Sequence, residues 1–291
     1  MDGIFNLYKP AGFTSNDAVA VMRKILNMKK VGHGGTLDPD ATGVLPVFTG
    51  AATRLLEFAV EGRKEYVAEF RLGIKTDTGD VSGKTVATEV VPEFSQADLE
   101  QVLQKFLGRQ KQVPPMYSAI KIGGKKLYQY ARKGEEVERA ARDIEIYDLE
   151  ILGFNLPDLR LRVECSKGTY IRTLGENIAV ALGTVGTMKK LVRTKVGRFA
   201  LADSHTLDEI RENPAACVME PLTVIDLPHL LLTPNQAWRV TSGVPTTVAG
   251  TEGGRYLAIS PERELLAVVN VAGEIVKAEK VLKQYANPQQ N

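Results

Sequence analysis

Hydrophobic and polar residues alternate clearly in one part of the chain. Tyr66, Ala68, Phe70 and Leu72 occupy every second position, and Val, Glu and Arg lie between them. Successive side chains of a strand point to opposite faces of its sheet. The alternation therefore predicts a half-buried strand whose buried face carries these four residues.

Strand and helix patterns are mixed along most of the chain. A strand is predicted over residues 4–8, and Ser15 or Asn16 is expected to cap the helix that follows it. Ser95 and Asp98 have the spacing of a capping box. The other predicted elements are a helix at 51–59, helices ending at Gly108 and Gly183, a short helix at 127–132, strands at 143–152 and 159–165, and a turn-rich loop at 77–84. Such mixing predicts an α/β or α+β fold.

The composition of the chain changes after Leu222. A hydrophobic segment containing VIDLPHLLL leads into a strand-like region with frequent glycine. We therefore predict a catalytic-sized domain at 1–226 and a small β-rich domain at 227–291.

A glycine-rich segment, VGHGGTLDPDATGVLP, spans residues 31–46 and is predicted to connect ordered elements. Its glycines allow the backbone to approach a ligand closely. It lacks the GK[ST] ending of a phosphate-binding loop, and GDVSGKT at 79–85 has that ending with glycine spacing one residue short. Neither segment is therefore predicted to bind nucleotide phosphates. Asp77 and Asp80 do not fit the spacing of a calcium loop.

The composition is that of an ordinary folded protein. The 291 residues are 44% hydrophobic and 25% charged. The two cysteines are far apart and the three histidines lack metal-ligand spacing, so we expect reduced thiols and no metal site. The first residues do not resemble a signal peptide, and no apolar run approaches membrane-spanning length. These features predict a cytoplasmic protein that does not bind membranes.

Positive charge is concentrated locally, although the net charge is only +2. Residues 105–142 contain ten Lys or Arg and three Glu, and residues 186–198 contain five basic and no acidic residues. Tyr117, Tyr128 and Tyr130 lie within the first segment, a combination that suits a polyanion with stackable bases. Judged from charge alone, a solvated basic surface is the favoured explanation.

Taken singly, each candidate site residue has a structural explanation. Asp38 precedes a proline, and a carboxylate in such a turn often accepts hydrogen bonds from neighbouring backbone N–H groups. His33 either orients a ligand or donates to a carbonyl. Tyr66 lies on a predicted buried face, and Arg172 at the start of a helix is explained by surface exposure or a salt bridge.

Taken together, the longer motifs resemble one family. The segments GGTLDPDATGVLP, KEYVAEFRLGIKTDTGDVSG, QVPPMYSAIKIGGKKLYQYARKG and CSKGTYIRTL are similar to those of bacterial tRNA pseudouridine-55 synthases of the TruB type. NLYKPAGFTS and MKKLVRTKVGRF fit the same pattern in order. The resemblance covers nearly all of the first predicted domain, and residues 227–291 more weakly resemble the PUA-like domain of these proteins.

The resemblance implies a pseudouridine synthase fold with a mixed, largely antiparallel sheet and flanking helices. It implies isomerisation of uridine 55 in the TΨC loop of tRNA by base flipping, without cofactor or metal, in a monomeric protein. Asp38 would be the nucleophile, Arg172 its ion-pair partner, and Tyr66 a stacking residue that also assists removal of the C5 proton. The remaining implied site residues are Tyr170 and Leu191 in the pocket, His33 at the RNA, and Lys9 and Pro10 in the wall.

The resemblance also assigns roles to the basic regions. Residues 105–142 would form an insertion that grips the T-arm, and the C-terminal domain would touch the acceptor stem. Attack by Asp38 at uracil C6 and attack at ribose C1′ remain alternatives. The competing interpretation is a non-catalytic RNA-binding or RNA-folding protein on the same scaffold, against which the joint presence of Asp38, Tyr66 and Arg172 argues. A nucleotide-hydrolysing enzyme is disfavoured by the incomplete phosphate loop.

Overall fold

The computed structural model describes residues 2–289 and shows a mixed α/β fold. Residue 1 and residues 290–291, at the ends of the two predicted domains, lie outside the described residues. No helix within 2–289 is both long enough and apolar enough to span a membrane.

Strands and helices alternate along the described chain. The strands are β1 (Gly3–Lys9), β2 (Val31–His33), β3 (Thr42–Thr49), β4 (Lys64–Leu72), β5 (Ile74–Thr76), β6 (Thr85–Thr88), β7 (Gly108–Gln112), β8 (Lys121–Ile122), β9 (Lys125–Lys126), β10 (Arg142–Asn155), β11 (Asp158–Cys165), β12 (Gly186–Val196), β13 (Phe199–Ala200), β14 (Val218–Met219), β15 (His229–Leu231), β16 (Thr246–Thr247), β17 (Gly254–Ile259), β18 (Leu265–Ala272) and β19 (Ile275–Val281). The α-helices are α1 (Ser15–Ile25), α2 (Leu56–Ala59), α3 (Gln96–Gln104), α4 (Leu127–Ala131), α5 (Ile171–Ala181), α6 (Leu207–Glu212), α7 (Pro214–Cys217), α8 (Pro221–Val224) and α9 (Pro234–Thr241). Two 3₁₀ helices occupy Gly50–Leu55 and Leu201–Asp203.

Contacts divide the chain into two units. The first comprises the chain up to Pro39, Gly43–Glu61 and the chain from Val196 onward, and the second comprises Asp40–Thr42 and Gly62–Lys195. The predicted domain boundary near 226 stays a prediction. Residues 229–281 do form a separate five-stranded sheet, in the order β15-β17-β18-β19-β16. Its own apolar cluster includes Val240 of α9 and Val269 of β18.

In the first unit, β1 lies between β14 and β3 and pairs with β3 in antiparallel register. The two ends of the predicted connector at 31–46 are in fact strands β2 and β3, which pair with each other. The prediction of one continuous connector was wrong because the seven residues from Gly43 to Thr49 are buried, which the apolar run around Pro46 favours over a loop.

The helix α1 begins one residue earlier than a Ser15 cap implies and two residues earlier than an Asn16 cap implies. Thr14 is the N-cap, and it forms a capping box with Asp17. Ser15 is instead buried, accepting a hydrogen bond from the Leu37 N–H at 2.9 Å. Thr14 therefore caps the helix, whereas Ser15 makes a tertiary contact that the local sequence spacing does not reveal.

In the second unit, the strands are ordered β12-β4-β11-β10-β7. The predicted alternation in β4 is confirmed, because Tyr66, Ala68, Phe70 and Leu72 are all buried. The predicted hairpin at 143–165 is also confirmed as β10 and β11. The helix α3 has its predicted capping box, but it ends at Gln104 rather than at Gly108, where β7 begins.

The helix α5 lies on the buried face of β4. Gly175 is the point of closest approach, because a Cβ atom there would lie 2.0 Å from Cε1 of Phe70. Only a residue without a side chain allows this contact. Gly175 therefore sets the distance between β4 and the helix α5, which carries Arg172.

Replacing Gly175 with alanine tests this contact. Alanine improves helix propensity by about 1 kcal/mol, but the collision with the Phe70 ring is expected to give a net destabilisation of about 1–3 kcal/mol. Denaturant unfolding measures the change. Val180→Ala in the exposed part of the same helix is the control and should stay within about 0.5 kcal/mol of wild type. A Gly175→Ala variant more stable than wild type would contradict the packing argument.

Candidate active site

The loop carrying Asp38 is fixed on both sides of that residue. The Leu37 backbone is hydrogen-bonded to the Ser15 hydroxyl, and the Pro39 carbonyl accepts a hydrogen bond from the Gly12 N–H at 3.1 Å. Asp38 itself is half-buried. Its carboxylate is therefore presented from a fixed backbone that remains partly open to solvent.

Lys9 ties this loop to the first strand. Its side chain is fully buried, and its ammonium donates to the carbonyls of Pro10 at 2.8 Å, Phe13 at 2.6 Å and Pro39 at 2.8 Å. A buried ammonium requires such acceptors. The contacts make Lys9 a brace between the segment containing Pro10 and the loop containing Asp38.

His33 ends β2, opposite Val47 of β3. The imidazole is partly buried, five residues before Asp38 in the same glycine-rich segment. The neighbouring Gly34 N–H donates to the Pro46 carbonyl, which keeps the chain beside β3 beyond the end of β2.

Within the second unit, Arg172 is held by two separate loops. Its Nη1 donates to the Thr78 carbonyl at 2.7 Å, and its Nη2 donates to the Tyr117 carbonyl at 2.8 Å. Asp80 lies 3.9 Å away, and the side chain of Arg172 is only 5% exposed. Arg172 is therefore not a solvated surface cation, the simplest alternative that its sequence position offered.

The start of α5 is fixed by Gln112 of β7. The Tyr170 N–H donates to Gln112 Oε1 at 2.8 Å, and Gln112 Nε2 donates to the Tyr170 carbonyl at 3.1 Å. Gln112 is buried, so the two bonds satisfy groups that lack solvent. They fix Tyr170 two residues before Arg172.

Tyr66 and Leu191 lie on neighbouring strands, β4 and β12, and both are buried. Arg193, two residues after Leu191, is fully buried and hydrogen-bonded to Tyr66. Burial is the main influence on the Arg193 guanidinium and lowers its pKa, which the Tyr66 contact partly offsets.

The predicted site residues thus form two groups. Lys9, Pro10, His33 and Asp38 belong to the first unit, and Tyr66, Tyr170, Arg172 and Leu191 belong to the second. Pairing of Asp38 with Arg172 stays a prediction.

Sequence reasoning missed three residues that support the second group. Gln112 and Asp80 were not candidates, and Arg193 counted only as one of several basic residues. The available signal for Arg193 was its position two residues after Leu191 in a strand, because alternate strand residues share a face.

Two further ionisable side chains, Lys64 and Glu176, lie on the elements β4 and α5 that carry Tyr66 and Arg172. Burial lowers the pKa of the Lys64 ammonium to about 8, and the charge of Arg193 lowers it further. Burial raises the pKa of the Glu176 carboxyl, which lies on α5 one turn after Arg172. Among residues 2–289, no three His, Cys, Asp or Glu side chains are grouped so as to hold a metal ion.

Lys64 gives the protein a pH-dependent stability. The folded state binds the Lys64 proton less tightly than the unfolded chain, so stability should rise as the pH increases from about 8 toward 10.5. Wild type should gain about 2 kcal/mol relative to Lys64→Met between pH 7.5 and 9.5. Denaturant unfolding at both pH values measures the gain, and Lys84→Met, at an exposed position, should show none. A pH-independent difference between wild type and Lys64→Met would show that the Lys64 ammonium is not desolvated.

Comparison with known proteins places these residues in a family. Residues 23–171 match the N-terminal domain of TruB family pseudouridylate synthases, and residues 172–221 match the tRNA pseudouridylate synthase B C-terminal domain. The chain is 42% identical to tRNA pseudouridine synthase B of Streptococcus thermophilus over 98% of this chain and 100% of that protein. It is 50% identical to the protein of that name from Caldanaerobacter subterraneus over 74% of this chain and 76% of that one.

Solved structures agree in fold. An H/ACA RNP bound to a substrate RNA containing 2′-deoxyuridine contains a chain that matches with a TM-score of 0.74 at 27% identity, over 97% of this chain and 86% of that one. A Cbf5-Nop10-Gar1 complex contains a chain that matches with a TM-score of 0.73 at 28% identity, over 97% and 85%. The resemblance of the sequence motifs is thereby confirmed along the chain, which belongs to the TruB family of pseudouridylate synthases.

Proposed function

We propose that this chain isomerises uridine 55 in the TΨC loop of tRNA to pseudouridine. The relatives at 42–50% identity are named tRNA pseudouridine synthase B. The observation that carries the proposal is the half-buried Asp38, held on a backbone that is fixed on both sides, within the segment that matches the family.

The proposed reaction breaks the bond between C1′ and N1, turns the uracil, and joins C5 to C1′. The C5 proton is lost and N1 gains one, so the product is an isomer and nothing is oxidised. Asp38 is the nucleophile, attacking uracil C6 or ribose C1′, and either route uses an ionised carboxylate. Arg172 would pair with Asp38 and favour that form. Its planar guanidinium suits this role because it can donate to several acceptors at once, as it does to the carbonyls of Thr78 and Tyr117.

The other site residues would bind the extruded base. Tyr66 would stack on the uracil, and Tyr170 and Leu191 would line the pocket. His33 would fill the gap in the RNA or brace the T-loop, and Lys9 and Pro10 would form the wall. Base extrusion costs a few kcal/mol, least where the loop is already distorted.

The basic segment at 105–142 would grip the T-arm. Its exposed part includes the β8–β9 hairpin, where Lys125 Nζ lies 6.0 Å from the Tyr130 ring centroid and Lys126 Nζ lies 5.7 Å from that of Tyr128. Each of these lysine cations therefore lies beside an aromatic ring. The C-terminal domain would contact the acceptor stem. The chain would act as a monomer in the cytoplasm.

Asp38→Asn tests the proposed chemistry. The amide keeps the volume and removes the charge and the nucleophile, so release of tritium from C5-labelled uridine in a tRNA transcript should fall below detection. Binding of tRNA and thermal stability should remain near wild type. Asp40→Asn is the matched control two residues away at an exposed position, and it should retain activity. Normal tritium release by Asp38→Asn would remove this carboxylate from the mechanism.

The salt dependence of binding tests the basic segment. Replacing Lys125 and Lys126 with Gln should weaken binding of a T-arm hairpin and lower the slope of log K against log salt by about one unit per phosphate contact. Single-turnover tritium release at saturating RNA should change little. The control replaces Lys277 and Lys283 with Gln in the C-terminal domain, for which the hairpin offers no acceptor stem. An unchanged slope in the Lys125/Lys126 variant would exclude phosphate contacts at these lysines.

A further inference from the structure

Arg193 and Tyr66 face the same side of the sheet from adjacent strands. On the opposite side of those strands, Thr194 Oγ1 donates to Glu65 Oε1 at 2.7 Å. Successive strand residues point to opposite faces. Tyr66, which is adjacent to Glu65 on β4, and Arg193, which is adjacent to Thr194 on β12, therefore meet on the buried face. Arg193 is 0% exposed and Tyr66 is 7% exposed, and the two side chains are hydrogen-bonded.

This contact has an electrostatic consequence. A guanidinium has only donors, so the Tyr66 phenolic oxygen is the acceptor. A cationic donor at that oxygen stabilises the phenolate, and the low polarity of the buried face strengthens the effect. The charge of Arg193 also lowers the pKa of Lys64, which lies two residues before Tyr66 on β4.

We propose that Arg193 is the positioning residue of Tyr66, fixing the ring and stabilising the phenolate that accepts the proton leaving C5. This inference rests on the proposed function, in which Tyr66 assists that step. Arg193 does not touch the uracil and acts only through Tyr66.

The step is balanced without any added reagent. On the route through ribose C1′, C5 joins C1′ as the Asp38 carboxylate leaves it. The C5–H bond then breaks and its proton passes to the phenolate oxygen. The C–H electrons form the C5=C6 double bond, and the electrons of the C6=N1 bond move onto N1. N1 then takes a proton from water, and the hydroxide produced removes the proton from the phenol. The phenolate is regenerated and the product is neutral pseudouridine.

Other charged groups near Tyr66 also influence its ionisation, so the test variants must leave them unchanged. On the same face, Lys64 lies two residues before Tyr66, and Cys165 of β11 is paired with Lys64. Lys167 follows β11, and its charge acts on Lys64. From α5, which packs on β4, Arg172 and Glu176 contribute opposite charges. The carboxylates Glu65 and Glu164 lie on the other face with Arg162.

A spectroscopic titration tests the contact without RNA. The ultraviolet tyrosinate absorbance of wild type and of Arg193→Met is each measured against the same protein carrying Tyr66→Phe, which isolates Tyr66. Loss of Arg193 should move the Tyr66 ionisation midpoint to higher pH by about one unit or more. Arg63→Met is the matched control, because Arg63 lies 4.1 Å from the ring of Tyr147 in the same unit. It should leave the Tyr66 midpoint unchanged.

Single-turnover kinetics test the consequence. Arg193→Met should lower tritium release at saturating tRNA by about 10- to 100-fold, with tRNA affinity within about twofold of wild type. Arg193→Lys keeps the charge and should recover part of the rate. Arg193→Gln, which removes the charge, replaces Arg193→Met in both experiments if the latter does not fold. In Arg193→Met or Arg193→Gln, an unmoved Tyr66 midpoint or a wild-type rate overturns the proposal. Wild type that releases no tritium would refute the proposed function instead, while the titration would still test the Arg193–Tyr66 contact.

Discussion

Among residues 2–289, three cations are buried, and several candidate site residues are held through the groups that accept hydrogen bonds from these cations. Lys9 donates hydrogen bonds to three loop carbonyls, and Arg172 donates to the carbonyls of two further loops. Arg193 is hydrogen-bonded to Tyr66. A buried cation without acceptors is strongly destabilising. Because the acceptors of Lys9 and Arg172 lie in loops, burial of these two cations fixes irregular segments that no strand pairing holds.

The same requirement connects the basic segment to the helix α5. Tyr117 lies within residues 105–142, and its carbonyl is one of the two acceptors of Arg172. The other acceptor, at Thr78, lies in the loop whose Asp80 stands near the same guanidinium. A segment proposed to grip RNA therefore also helps to orient the side chain proposed to hold the nucleophile ionised.

Much of the regular structure was predictable because it follows from local patterns. The alternation in β4, the hairpin of β10 and β11, and the capping box of α3 are each encoded by neighbouring residues. The predictions failed where a distant contact decides. Thr14 rather than Ser15 caps the helix α1, because the Ser15 hydroxyl is hydrogen-bonded to Leu37, which lies 22 positions away.

The site was less predictable from physical patterns alone. Asp38, Tyr66 and Arg172 each had an ordinary structural explanation, and only the family resemblance joined them. Lys9 and Arg193 are basic residues that composition counts as surface charge, whereas the fold buries both completely. Their supporting roles include contacts with oxygens that are distant in sequence, the Pro39 carbonyl for Lys9 and the Tyr66 phenol for Arg193, which periodicity cannot reveal.

We expect the carboxylate of Asp38 to carry the isomerisation of a single uridine of tRNA. Mass-spectrometric mapping of pseudouridine in an unmodified tRNA transcript tests it most directly, after incubation with wild type or Asp38→Asn in the absence of nucleotide. We expect complete conversion at position 55 by wild type, no conversion elsewhere, and none by the variant. Pseudouridine at another position, or at position 55 after incubation with Asp38→Asn, would contradict it.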